Sequence, residues 1–190
     1  MLLGMGDGAP PPWPVRCAGA SLHAVAAYLF FVRAPAPDAV SWRSLARSVP
    51  SLVLSGVAFR LGAARLEGPT LALFVIGALG ACASLLTLGR SFAIFAARRA
   101  LVARGPYALV RHPAYACELG MVAASAAALG SLDLEDRVLG LPRAIVAAAI
   151  FALTAAAVAV RIEEEERSLT DPAYLDYARR VPARLIPFVW

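Results

Sequence analysis

Residues 104–115 are the stretch of this chain best suited to binding a ligand. Tyr107 and Tyr115 supply rings and hydroxyls, and Gly105 allows a ligand to approach the backbone closely. His112 precedes Pro113, and proline favours the first turn of a helix, where unpaired N–H groups attract a negative or lone-pair-bearing group. The stretch therefore suits a polar, aromatic ligand.

A second polar segment, residues 161–169, follows the last apolar run of the chain directly. If the helix continues into it, Arg161 and Glu165 lie at positions i and i+4 on one face. Glu166 then lies about 100° further round. Four consecutive glutamates repel one another unless cations neutralise them, and the natural candidates are Arg104, Arg111, Arg179 and Arg180. The plain alternative is a solvated acidic face at a helix end.

The composition indicates a protein of the membrane. The chain has 190 residues, of which 60% are hydrophobic and 16% charged, and its mean hydropathy is +0.69. A soluble domain is typically about 45–50% apolar and about 25% charged. All eighteen basic side chains are arginines, and the net charge of +5 fits membrane topology better than a nucleic-acid partner.

The apolar runs predict the fold class and the domain organisation. We expect an all-α polytopic membrane protein with about five transmembrane helices and a single membrane domain over residues 17–190, preceded by a proline-containing flexible tail over residues 1–16. The core motifs of the domain cover residues 99–118 and 161–187. The five runs are approximately residues 17–32, 49–66, 70–88, 114–129 and 142–160.

The arginines predict the orientation in the membrane. With five spans and the C-terminus inside, the cytoplasmic segments 33–48, 90–112 and 161–190 hold thirteen arginines, and the external segments hold four. Positive charge concentrates on the cytoplasmic side of membrane proteins. Both polar segments are therefore expected on the cytoplasmic face, where they can meet.

The two segments resemble the signature motifs of the isoprenylcysteine carboxyl methyltransferase family, a group of integral membrane enzymes. The resemblance covers roughly residues 85–190. Its first motif is Leu101-Val102-x-x-Gly105-Pro106-Tyr107-x-x-Val110-Arg111-His112-Pro113-x-Tyr115. Its second motif is Arg161-x-x-x-Glu165-Glu166-x-x-Leu169, followed by Tyr174-x-x-Tyr177 and Arg180-Val181-Pro182.

The resemblance implies S-adenosyl-L-methionine as cofactor and methyl donor, bound at the cytosolic face without a Rossmann domain. Glu165 would hold the amino group of the cofactor, and Arg161 would orient a carboxylate acceptor, giving a methyl ester. The acceptor would be a lipophilic small molecule or a lipidated substrate that enters from the membrane lipids. The remaining cofactor-binding positions would be Leu101, Val102, Gly105, Tyr107, Arg111, His112, Pro113, Ala114, Tyr115 and Glu166. No metal ligands are implied.

Three other functions remain open. An amine or thiol acceptor on the same scaffold would need a base, for which Glu165 or Glu166 could serve. Membrane sterol reductases that use NADPH share an Arg-His-Pro-x-Tyr loop, but they favour asparagine where this chain has Ala114. A non-enzymatic membrane partner could keep the scaffold, although the intact pair of Arg161 and Glu165 argues against it.

Overall fold

The computed structural model describes residues 10–34, 42–92, 101–130, 137–138 and 140–187. Within these residues the fold is all-α, apart from one two-residue hairpin. The helices are α1 (Trp13–Val32), α2 (Trp42–Gly62), α3 (Gly68–Leu88), α4 (Pro113–Leu129), α5 (Arg143–Ser168) and α6 (Pro172–Arg180). The hairpin pairs β1 (Arg137–Val138) with β2 (Leu141–Pro142). Single 3-10 turns lie at Ala63–Arg65, Gly89–Ser91 and Gly105–Ala108.

The predicted polytopic membrane fold is confirmed. By length and composition, α1, α3 with its following turn, and α5 are long and apolar enough to cross a membrane. The fourth run forms the shorter apolar helix α4. The second run forms α2, which is 21 residues long but carries three arginines and an internal proline. The five predicted runs thus correspond to α1–α5, of which three are long and apolar enough to span a membrane among the described residues. The count of about five spans stays a prediction.

Helix α2 buries small and polar residues and exposes apolar ones. Its buried positions are Ser44, Ser48, Ser51, Ser55, Ala58 and Gly62, which recur every three or four residues along one face. That face packs against α4 and α5. Leu52, Val53 and Val57 point outward and are exposed. Small and hydroxylated residues at helix interfaces, with apolar residues outside, are typical of helices in lipid.

Glycines set the spacing between α3 and α4. A β-carbon at Gly77 would press on the side chain of Met121, and one at Gly80 would lie 2.7 Å from the sulfur of Cys117. The two helices therefore approach closely, as small residues permit. Their contact also buries Phe74 and other apolar side chains of the main core. This packing fixes the depth and rotation of α4, whose first turn carries part of the site.

The structure changes some predicted boundaries. Helix α1 begins at Trp13, inside the stretch predicted as a flexible tail, because Pro12 and Pro14 occupy an N-terminal turn that tolerates proline. Helix α5 runs without a break to Ser168, so Arg161 and Glu165 do share one face as predicted. Residues 1–9 and 93–100 lie outside the described residues. The first two residues of the predicted core motif 99–118 fall within the second of these ranges.

Candidate active site

The two polar segments meet in the folded chain, as the sequence predicts. The backbone N–H of Arg111 donates to the carbonyl of Ala183 at 2.9 Å, and that of His112 donates to the carbonyl of Arg184 at 2.9 Å. Residues 183–184, near the end of the described chain, therefore lie alongside the loop and are hydrogen-bonded to its backbone. Leu185 then packs on α5 in a small apolar cluster, which holds this contact in place.

Glu166 is the centre of an ion-pair cluster that joins the loop, α5 and the C-terminal segment. One of its carboxylate oxygens lies 2.9 Å from Nε of Arg111 and 3.0 Å from Nε2 of His112. The other lies 2.8 Å from Nη2 of Arg184. A carboxylate can only accept, so Nε2 of His112 carries the proton of that bond. The Glu166 side chain is 14% exposed, so these charge-assisted bonds are largely shielded from water.

Arg111 also fastens the C-terminal segment through carbonyl oxygens. Its Nη1 donates to the carbonyls of Val181 at 3.0 Å and Pro182 at 2.9 Å. The guanidinium thus donates to backbone carbonyls and to a carboxylate at the same time. We call Arg111, His112, Glu166 and Arg184 the clamp.

Two of the neighbouring glutamates pair with arginines, and these pairs offset the repulsion expected between consecutive carboxylates. Glu163 pairs with Arg167 one turn later at 3.1 Å. Glu164 pairs with Arg47 of α2, so that contact ties α5 to α2. The solvated acidic face considered from the sequence is therefore limited to Glu163, whose side chain is 49% exposed.

Arg161 and Glu165 are both held by Tyr115. The guanidinium carbon of Arg161 lies 4.8 Å from the centre of the Tyr115 ring, within the range of a cation–π contact. The Tyr115 hydroxyl donates to Oε2 of Glu165 at 2.8 Å. Nη1 of Arg161 also donates to Oγ of Ser51 on α2 at 3.2 Å. Arg161 is only 6% exposed, so a cation is fixed inside the helix bundle.

The His112 ring connects the clamp with this pair. It stacks on the Tyr115 ring with centroids 5.6 Å apart and an angle of 11° between the planes. Pro113 occupies the first turn of α4 directly after His112. Because His112 and Tyr115 are three residues apart at a helix start, they lie on one face. The His112 ring thus links the clamp to the ring that carries Arg161.

Two buried tyrosines connect the loop with α6. The Tyr177 hydroxyl of α6 donates to the carbonyl of Tyr107 at 2.7 Å. Burial raises the pKa of Tyr177 to about 12, with Arg111 opposing and Glu166 adding to the shift. Burial and then the nearby Glu165 carboxylate raise the pKa of Tyr107 as well. Both hydroxyls therefore stay protonated near neutral pH.

The other predicted positions lie around this centre. Gly105 has a φ of +58°, a left-handed conformation that favours glycine and starts the 3-10 turn of the loop. Leu101 is 43% exposed, Val102 and Ala114 are half-buried, and Pro113 is buried. Apolar surface is thus available beside the loop.

Sequence reasoning missed several contributors. Ser51 and Arg184 contact predicted site residues directly. Ser55 of α2 donates to Oε1 of Glu118 at 2.6 Å, which adds a second polar contact between α2 and the helices of the site. The regular spacing of the α2 serines was the available signal for Ser51 and Ser55. For Arg184 the sequence offered none beyond its charge.

This fold and site define an integral membrane protein with a buried arginine and clustered carboxylates at one end of its helices. Residues 70–171 match the isoprenylcysteine carboxyl methyltransferase (ICMT) family, and that match covers more than half of the chain. The chain therefore belongs to this family of methyltransferases, as the motifs predicted.

Two curated relatives are named for metal resistance. The chain is 36% identical over 143 residues to the cobalt-zinc-cadmium resistance protein CzcN of Cupriavidus metallidurans, a match covering 72% of this chain and 60% of the relative. It is 35% identical over 116 residues to the nickel-cobalt-cadmium resistance protein NccN of Alcaligenes xylosoxydans xylosoxydans, covering 59% and 49%. The matches thus span between about half and three fifths of these relatives. Among the described residues, no group of three or more His, Cys, Asp or Glu side chains could hold a metal ion.

Proposed function

We propose that this protein transfers a methyl group from S-adenosyl-L-methionine to the carboxylate of a lipophilic acceptor. The observation that carries the proposal is the placement of Arg161. Its guanidinium is buried between α2 and Tyr115, one helical turn from Glu165. A buried guanidinium beside a carboxylate offers binding groups for an anion and a cation next to each other. Membership of a methyltransferase family agrees with this use.

The residues beside Arg161 fit the chemistry of the cofactor. Oε2 of Glu165 accepts from Tyr115, which leaves Oε1 for the ammonium group of an amino acid moiety. Tyr107 and Tyr115 offer aromatic surface, and the half-exposed Leu101 and Val102 offer apolar surface. Backbone N–H groups in the first turn of α4, at Ala114 and Tyr115, favour a carboxylate or a lone pair. In this arrangement Gly105, Pro113 and Ala114 contribute backbone surface.

The clamp has a positioning role in this proposal. Arg111, His112 and Glu166 satisfy one another, so their charges are directed at each other. We assign them to holding the loop in its binding conformation, with His112 supporting the Tyr115 ring. This differs from direct contact with the cofactor, which the family resemblance implied for all three.

Bound S-adenosyl-L-methionine supplies an electrophilic methyl group on a sulfonium. Arg161 forks onto the acceptor carboxylate and aligns one oxygen with that methyl carbon. The cofactor, its amino group held by Glu165, would give its methyl group to that oxygen as the S–C bond breaks, and the electron pair of that bond would stay on sulfur. The carboxylate is already deprotonated, so no base is needed. Catalysis consists mainly of positioning in a site shielded from water.

The acceptor and the membrane side are part of the proposal. The outward faces of α1, α2 and α3 are apolar and exposed, including Phe31, Val53 and Ile76. A lipophilic acceptor in the bilayer can therefore reach the helices laterally. The arginine distribution supports a cytoplasmic position for the site, where the cofactor is available.

Binding and product analysis test the proposal together. Calorimetry on the detergent-solubilised chain should show binding of S-adenosyl-L-methionine and none of NADPH. Incubation with isotope-labelled cofactor and a panel of lipophilic acids, amines and thiols should give labelled methyl esters by mass spectrometry. Absence of cofactor binding would refute methyl transfer. Label found only on nitrogen or sulfur would refute the carboxylate acceptor.

A further inference from the structure

Helix α2 presents a ladder of contacts to the helices that carry the site. At successive i+4 positions, Arg47 pairs with Glu164 of α5, Ser51 accepts from Arg161 of α5, and Ser55 donates to Glu118 of α4. Four helical residues correspond to a rise of about 6 Å. Glu118 therefore lies one turn along the bundle from Arg161, on the side away from Glu164.

Glu118 faces the same region as Arg161 for a second reason. It is three residues after Tyr115 on α4 and so lies on the same face of that helix. The Tyr115 ring carries the Arg161 guanidinium. The buried cation thus has Glu165 one turn away on its own helix and Glu118 one turn deeper between α2 and α4.

Like Glu165, Glu118 accepts a hydrogen bond from a neutral hydroxyl, whereas two other site carboxylates contact arginines. Glu164 and Glu166 each contact at least one arginine. Within the part of the chain that the structure describes, Glu118 takes part in no ion pair, and its Oε1 accepts from the neutral hydroxyl of Ser55 at 2.6 Å. The side chain is half-buried inside an apolar helix. A carboxylate in such a place is costly and is more often functional than structural.

We propose that Glu118 and Ser55 form a subsite for an ammonium group on the acceptor, beside the carboxylate that Arg161 orients. This rests on the proposed function and names the acceptor class: an amphiphilic zwitterion with an apolar tail and an unblocked amine next to the methylated carboxylate. Ser55 holds Oε1, so Oε2 of Glu118 faces the ligand cation. Because Ser51 and Ser55 are one turn apart on α2, an ammonium on the carbon beside the carboxylate is directed from Arg161 towards Glu118. Glu165 serves the cofactor, and Glu118 serves the acceptor.

Three probes with the same tail test this subsite on the full chain in detergent. They are α-aminotetradecanoic acid, its N-acetyl derivative and tetradecanoic acid, which differ in whether the carbon beside the carboxylate carries an ammonium, an amide or neither. We expect calorimetry to show at least tenfold tighter binding of the amino acid than of the other two. Equal affinity for all three probes, or binding of none, would overturn the proposal.

Substitutions assign the preference to Glu118. Glu118→Gln should bring the amino acid to the affinity of tetradecanoic acid and leave the other two probes unchanged. Glu118→Asp, which keeps the charge, should retain part of the preference. Glu163→Gln makes the same chemical change at an exposed position of α5 and should change nothing. If Glu118→Gln weakens all three probes equally, the preference for the amino acid remains without the carboxylate, so Glu118 is structural and the inference is wrong.

The same samples separate this inference from the proposed function. If the amino acid preference is present but no label passes from S-adenosyl-L-methionine, the subsite stands and methyl transfer fails. If labelled esters form from all three probes at equal rates, methyl transfer stands and the subsite fails.

Discussion

Tyr115 makes three kinds of contact in the candidate site, namely a cation–π contact, a ring stack and a hydrogen bond. Its ring carries the guanidinium of Arg161 on one side and stacks with His112, while its hydroxyl donates to Glu165. A tyrosine can do all three because its aromatic face is electron-rich and its hydroxyl is polar. Arg161 and Glu165, to which the proposed function assigns the acceptor and the cofactor, are therefore positioned by one side chain.

Removal of the Tyr115 hydroxyl should affect the cofactor more than the acceptor. Tyr115→Phe keeps the ring under Arg161 but releases Glu165, so a charge-assisted bond of about 1.5–3 kcal/mol is lost. We expect roughly tenfold weaker binding of S-adenosyl-L-methionine in calorimetry, with acceptor affinity unchanged. Tyr115→Leu removes the ring as well and should weaken both ligands. Equal losses in the two variants would show that the hydroxyl alone matters.

Arg161 should matter for transfer and little for cofactor binding. Arg161→Ala removes the group that aligns the acceptor, and misplacement of a reactant costs on the order of a hundredfold in rate. Single-turnover assays should show at least that loss, while calorimetry should show cofactor affinity within about twofold of wild type. Arg167→Ala, on the same helix but 63% exposed, is the matched control. Equal loss of cofactor binding in Arg161→Ala would contradict the role assigned to Arg161.

At the scale of the elements, the clamp connects three separate parts of the chain through one carboxylate. Glu166 comes from the end of α5, Arg111 and His112 from the loop, and Arg184 from the C-terminal segment. Breaking a largely buried ion pair leaves its partner charges uncompensated. Stability of this end of the bundle and geometry of the site are therefore coupled.

Neutralising Glu166 should destabilise the fold measurably. Glu166→Gln leaves two arginines without their anion, and we expect a loss on the order of 3 kcal/mol with a lower midpoint of thermal unfolding in detergent. Glu163→Gln is the same change three residues earlier, in an exposed i,i+4 pair, and should cost less than about 0.5 kcal/mol. Similar midpoints for the two variants would mean that the clamp contributes little to stability.

The elements also show what could be predicted from the sequence. Continuation of α5 through Arg161 and Glu165 was predictable because no proline or glycine interrupts residues 143–168. The pairing of Glu166 with Arg111 and His112 was only partly predictable, since charge patterns show that partners are needed but not which carboxylate faces which loop. The part played by α2 was missed. Its serines carry little hydropathy signal, and their role appears only when Ser51 and Ser55 meet Arg161 and Glu118.

At the scale of the whole molecule, the connections between helices determine which ends lie together. Helices α4 and α5 are neighbours joined through the hairpin at residues 137–142. Helix α4 has 17 residues and so a length of about 26 Å, close to the thickness of the hydrocarbon layer. The hairpin and the clamp must therefore lie at opposite ends of these helices, in agreement with arginine counts that place the hairpin outside.

Labelling of single cysteines can determine which end is cytoplasmic. In a variant whose three native cysteines are replaced by alanine, Thr170→Cys marks the clamp end and Leu141→Cys marks the hairpin end, and both positions are exposed. A membrane-impermeant maleimide should label position 170 in inside-out vesicles and position 141 in right-side-out vesicles. We expect this pattern because thirteen arginines flank the clamp side and four the other. The reverse pattern would place the site outside the cell, away from the cytosolic cofactor, and would contradict both the orientation and the proposed methyl donor.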